Sequence, residues 1–180
     1  EDLRRRASIE RREFAMHRNV LSSPSNSTSV IGMLWDITQK VGLKGLINQV
    51  AFAPPIPPTY LKDDMQIWLE TDRGCRIPAF HITRACAGCA KCSGRQPLTL
   101  LVSHMNADDL GTIRPWCHLI SERLCVNTFA YEFSGYGHAK GAPNELNLYS
   151  DARAALRYLK DQVGLQPERD VVLFGRSIGS

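Results

Sequence analysis

The stretch Val171-Val172-Leu173-Phe174-Gly175-Arg176-Ser177-Ile178-Gly179 most constrains what this chain can fold into. Its apolar, β-branched start predicts a strand. The Gly-x-Ser-x-Gly pattern that follows predicts a sharp turn where a strand hands over to a helix. Glycines two residues either side of the serine let the backbone close up without a Cβ clash. A serine hydroxyl is a weak nucleophile and has to be held out towards a base and towards donors for a developing oxyanion. The pentapeptide has only three defined positions and recurs by chance, so its weight rests on the segments upstream.

Those segments alternate in type. Met65–Thr71 and Arg76–Ile82 each alternate apolar and polar residues around the turn residues Asp72-Arg73-Gly74, which predicts a β-hairpin. Pro78 predicts that its strand lies at a sheet edge. Pro97–Ser103 reads as a central, doubly buried strand. A helix is expected over about Leu110–Leu124, with Ile113, Trp116, Cys117, Ile120 and Leu124 on one side and Asp109 as its cap. Pro115 fits only if it falls in that helix's first turn. Val126–Phe133 is a further strand that runs into Ser134-Gly135-Tyr136-Gly137. A second helix is expected over about Glu145–Val163, striped by Leu148, Ala152, Ala155, Leu156, Leu159 and Val163, before Pro167 breaks the chain. The order is a hairpin, then strand, helix, strand, helix, strand. That predicts an α/β architecture with parallel strands extended by an antiparallel hairpin. Chemistry in such sheets gathers at the strand C-terminal ends. Here those ends are His104–Asp109, Ser134–Gly137 and Gly175–Gly179.

The rest of the chain divides into three parts. Residues 1–29 read as a flexible basic and Ser-rich tail, residues 30–58 as an amphipathic segment and proline-rich connector, and residues 59–180 as the folded domain. The apolar positions of 30–52 fit either a helix on a membrane surface or one packed on the domain. Pro54, Pro55, Pro57 and Pro58 prevent helix or central strand there. The net charge of +4 comes largely from the N-terminal arginines. Such an arm can touch anionic lipid or nucleic acid, but the expected state is a solvated tail with no nucleic-acid partner. No run approaches the ~18–20 apolar residues of a membrane-spanning helix. Cys86, Cys89 and Cys92 have metal-ligand spacing and His81 is the nearest candidate for a fourth ligand, but the expected state is a loop with no metal. No cofactor is implied.

Several ordered motifs together resemble the alpha/beta-hydrolase fold and, within it, the alpha/beta hydrolase domain-containing protein 17 family. They are Ala51–Pro55 with Pro58-Thr59-Tyr60, then Ser103–Gly111, then Tyr131–Gly137 with Gly141, Pro143, Glu145, Asn147 and Tyr149, and finally Leu173–Gly179. The resemblance implies a serine hydrolase acting on acyl thioesters or esters, palmitoylated proteins above all. The partner would be an acylated protein or lipid-like substrate. It implies peripheral attachment to the cytoplasmic face of membranes, aided by the N-terminal region. Ser177 would be the nucleophile, and the N–H of Ile178 and the Met105-Asn106 segment would supply the oxyanion donors. Tyr136 would line the substrate pocket or simply pack in the core. The family order places the triad's acid and base after the serine. The chain is therefore expected to be a truncated piece, inactive alone. Met105 stands where the family pattern has glycine. That departure supports an alternative, a catalytically inactive hydrolase-fold module that binds partners or membranes.

Overall fold

The alternation around Asp72-Arg73-Gly74 folds into the hairpin. Strand β1 (Ile67–Glu70) runs antiparallel to strand β2 (Arg76–Ile82), and Gly74 takes φ +72 in the turn. Strand β3 (Thr99–Ser103) leads to helix α1 (Leu110–Leu124) and strand β4 (Asn127–Tyr131). Helix α2 (Glu145–Asp161), the one-turn helix α3 (Pro167–Asp170) and strand β5 (Val171–Gly175) follow. This computed structural model describes residues 51–84 and 96–180. Among the described residues, the unit that holds the sheet takes in the proline-rich segment and runs to Ser180. The basic tail, positions 30–50 of the amphipathic segment, and Cys86, Cys89 and Cys92 lie outside the described residues.

The five strands form one sheet in the order β1-β2-β4-β3-β5. β2 pairs antiparallel with β4, while β4, β3 and β5 are mutually parallel neighbours. This is the expected α/β layout. Strand side chains alternate between two cores. Ile77, Ala79, Leu101, Phe129 and Tyr131 meet Ala154, Ala155 and Leu159 of α2 on one face. Phe80, Val102 and Ala130 meet Leu110, Ile113 and Cys117 of α1 on the other. The period of two assigns each residue its face, so one helix covers each side of the sheet. Among the described residues no helix is long and apolar enough to cross a membrane.

Three expectations are corrected. Pro78 does not mark an edge, because β2 lies between β1 and β4. Its carbonyl accepts from the Glu132 N–H at 2.9 Å, so its backbone groups face β4 just past that strand's end. In an antiparallel pair a residue's N–H and C=O point the same way, and the donor Pro78 lacks leaves the β1 ladder intact. Pro115 sits beyond the first turn of α1, on its exposed side, where water can satisfy the carbonyl that it leaves unpaired. The stripe of α1 stops short: Leu110, Ile113, Cys117 and Ser121 are buried and Trp116 packs on that core, but Leu124 is exposed. The stripe of α2 meets its core as expected, with the polar Asn147, Ser150 and Asp151 buried beside it. Pro167 ends the preceding loop as expected, but does so by opening α3 at a first-turn position.

Candidate active site

The parallel strands end on one rim, and each end contributes a loop. After β5 the chain turns at once into a short 3-10 turn, Ser177–Gly179. Ser177 has φ +54, one of two non-glycine residues at positive φ among those described. A left-handed backbone at an L-residue with a Cβ costs about 1–2 kcal/mol, so the surroundings must impose it. The two glycines show how. A Cβ on Gly175 would lie 2.2 Å from the Gly179 oxygen, and one on Gly179 would lie 2.5 Å from the Ser103 oxygen and 2.8 Å from that of His104. The elbow is thus folded tightly on itself and pressed against the end of β3. The Arg176 N–H donates to Ser103 O at 3.2 Å, which extends the β5–β3 ladder into the turn. Ile178 sends its side chain into the core on the α2 side, while Ser177 stays exposed.

The loop after β3 carries Met105 and Asn106. Asp109 closes it by capping α1: its carboxylate accepts from Thr112 N at 3.0 Å and Thr59 N at 2.7 Å, and from the Thr59 hydroxyl. Burial raises its pKa, but these donors outweigh that and hold it below the usual aspartate range. Asp108 takes no part in the cap; its Oδ2 lies 3.8 Å from Arg176. The Met105 carbonyl accepts from Asp108 N at 3.1 Å and stands 2.9 Å from His104 Nδ1. Asn106 is held by its side chain. Its amide donates to Ala51 O at 2.8 Å, and its Oδ1 accepts from Ala53 N at 3.1 Å and from the Tyr136 hydroxyl at 2.6 Å. Met105 is not among the residues at positive φ, so this loop has no need of glycine's conformational freedom at that position.

Tyr136 is wholly buried against Phe133 and His104, not exposed on the rim as a pocket wall. It is a packed aromatic whose hydroxyl holds Asn106, and burial pushes its pKa up to about 12. The loop carrying it is anchored through Ser134, whose N–H and hydroxyl both donate to Asp151 of α2 at 2.7 Å. Burial of that carboxyl raises its pKa to about 6 despite those donors.

Sequence reasoning missed the charge at the centre of the rim. Glu132 and His104 are both fully buried, with Oε1 and Nε2 2.8 Å apart, out of line for a directed hydrogen bond. Glu132 Oε2 accepts from the Tyr60 hydroxyl at 2.8 Å and from Leu110 N at 3.2 Å. Burial first, and then the Glu132 charge, push the Tyr60 hydroxyl far above its ordinary pKa. A Cβ on Gly137 would meet the Tyr60 hydroxyl at 2.3 Å and Glu132 Oε2 at 2.5 Å, so the glycine makes room for this bond. The signal was a lone carboxylate inside the apolar run 126–133, since a charge so placed needs partners. Among the described histidines, His104 is fully buried. His138 is bound to Tyr60 and His81 rests on Phe129. Among the described residues no group of three or more His, Cys, Asp or Glu could hold a metal.

No family model matches the chain. Individual relatives do. It is 37% identical over 120 residues to human alpha/beta hydrolase domain-containing protein 17B, covering 66% of this chain and 38% of the relative. It is 33% identical over 150 residues to the Caenorhabditis elegans alpha/beta hydrolase domain-containing protein aho-3, covering 75% and 45%. To the 17C protein of Xenopus tropicalis it is 41% identical over 98 residues, covering 53% and 31%. The chain thus spans less than half the length of these relatives. Among solved structures, the Pyrococcus furiosus esterase Pf2001 superposes with a TM-score of 0.50 at 17% identity, over 70% of this chain and 49% of the esterase. That likeness is one of fold. The strand order, the elbow at Ser177 and the shared sequence agree: the chain belongs to the family of the alpha/beta hydrolase domain-containing 17 proteins, and its fold is the alpha/beta-hydrolase fold.

Proposed function

We propose that the whole protein is a serine hydrolase that cleaves acyl thioesters or esters through an acyl-Ser177 intermediate. The observation that carries this reading is the left-handed φ of Ser177 between two sterically required glycines. Strain of this kind persists where a structure over-determines it, and here it projects a hydroxyl from the end of a parallel strand. In the proposed reaction a base takes the Ser177 proton as Oγ bonds to the acyl carbon. The N–H groups of Ile178 and of the Met105-Asn106 segment stabilise the oxyanion. The carbon–sulfur or carbon–oxygen bond then breaks, the leaving group takes the proton, and water releases the acid from Ser177.

The described histidines are committed to structural contacts or lie elsewhere on the surface. The family order places the triad's acid and base after the serine, and this chain spans 38% of its human relative. Palmitoylated proteins are the substrate class that the family resemblance favours. Contact with the cytoplasmic face of a membrane through the basic N-terminal region would suit such a substrate. The inactive-module alternative drew on Met105 and on the truncation; the backbone at Met105, which is not at positive φ, removes only the backbone part of that argument.

The test is covalent labelling with a fluorophosphonate in a protein of the relatives' full length, together with turnover of a palmitoyl-cysteine peptide and of its ester analogue. Labelling should map to Ser177 and vanish in Ser177→Ala. An unlabelled Ser177 in folded protein would overturn the reading. Turnover of esters without thioesters would leave a hydrolase but remove the depalmitoylating role.

A further inference from the structure

The Glu132–His104 pair is fully buried, yet it touches the backbone of the loop that the proposed reaction uses. The partners decide where the protons lie. The Met105 carbonyl can only accept, so the His104 Nδ1 that stands 2.9 Å from it must carry a hydrogen. Glu132 Oε2 already accepts from two donors, and its Oε1 lies 2.8 Å from Nε2. The ring also packs against Phe133, with centroids 3.9 Å apart and the planes tilted by 33°. With Asp108 N, the imidazole fixes the direction of the Met105 carbonyl. The peptide that follows is trans and planar, so its N–H, that of Asn106, points the opposite way, away from the buried ring.

We propose that His104, oriented by Glu132, is a positioning residue that aims the Asn106 N–H as an oxyanion donor by pinning the Met105 carbonyl behind it. This rests on the hydrolase reading above. It makes Asn106 rather than Met105 the donor of the pair. The elbow abuts the same backbone, because Gly179 lies against the Ser103 and His104 carbonyls. One buried histidine–carboxyl pair therefore holds a donor loop next to the nucleophile. Neither residue touches substrate.

Two amide substitutions separate this role from simple packing. In His104→Asn the side-chain amide falls where Nδ1 was and can still donate to the Met105 carbonyl. In His104→Gln it falls nearer Nε2, keeps the Glu132 contact and loses the Met105 bond. With a short 4-nitrophenyl ester and protein of the relatives' full length, His104→Asn should keep kcat within about fivefold of the parent. His104→Gln should lose about 10- to 100-fold in kcat with KM nearly unchanged, as expected for weakening one oxyanion donor. Glu132→Gln is a second variant. Its oxygen can accept from Tyr60 and Leu110 and its amide keeps the polar contact with Nε2, so it should behave like the parent, whereas Glu132→Leu should fall with His104→Gln. Equal losses in the two histidine variants, or a loss confined to KM, would overturn the positioning role. If His104→Asn does not fold, equal kcat in the two Glu132 variants would do so. Failure of the parent to label at Ser177 would instead overturn the hydrolase reading beneath it.

Discussion

At the scale of single residues, the elbow is governed by the sign of one dihedral angle. Ser177 bears a Cβ in a region that glycine tolerates freely, at φ +54. The serine is therefore held against its own preference for the sake of its exposed hydroxyl. Substitution exposes this cost. Ser177→Gly and Ser177→Ala both remove the nucleophile, but only the glycine relieves the backbone. Ser177→Gly should be the more stable of the two by about 0.5–1 kcal/mol in urea denaturation; equal midpoints would mean that the turn relaxes in the protein. Met105 is the converse case. The family pattern has glycine there, and the sequence made the methionine look like an obstacle. Its φ is not positive, so Met105→Gly has no backbone strain to release and should not raise kcat in ester hydrolysis.

At the scale of elements, α2 serves two purposes. Its second half packs Ala154, Ala155 and Leu159 on the sheet, while its first half turns Asn147, Ser150 and Asp151 inward. Asp151 holds Ser134 by two hydrogen bonds and so anchors the loop that delivers Tyr136 to Asn106. This carboxyl is protonated more readily in the folded than in the unfolded chain, because burial lifts its pKa from 3.8 to about 6. Such a group contributes stability that is fully present below the unfolded pKa and is lost as pH rises through the folded one. A rise of that size corresponds to about 3 kcal/mol. Asp151→Asn should therefore flatten the fall in stability between about pH 4 and about pH 6, read as urea midpoints across that range. An unchanged slope would mean that Asp151 titrates normally. Asp109 has the opposite sign: its depressed pKa contributes stability above the unfolded value that is lost only as pH falls below it. The two effects occupy separate windows.

At the scale of the whole molecule, the sheet runs from a short hairpin strand at one side to β5 at the other, beyond which no strand lies among the described residues. β5 leaves Val172 44% and Leu173 73% exposed, on opposite faces of that strand. An apolar edge strand invites pairing with another chain. The 180-residue chain should therefore self-associate, and Leu173→Lys should shift it towards monomer in sedimentation velocity; a monomer at every concentration before substitution would refute this. The hairpin, the parallel order, the Asp109 cap and the turn at Ser177 were all legible in the sequence, because each rests on spacing or residue type within a few neighbours. Pro78 misled because the cost of a proline depends on which neighbour its missing donor faces. The polar residues buried on the helices were not legible because Asn147, Asp151 and Ser121 are held inward by hydrogen bonds, which apolar periodicity does not register. Glu132 meets Tyr60 across 72 positions of sequence, and Asn106 meets Ala53 across 53. The sequence by itself determined the elements, their order and the serine on its turn, since local sterics and periodicity suffice for those. Only the tertiary structure decided the left-handed φ of Ser177, the partners of the buried charge and the aim of the Asn106 N–H, because each is set by atoms that chain folding alone brings within contact.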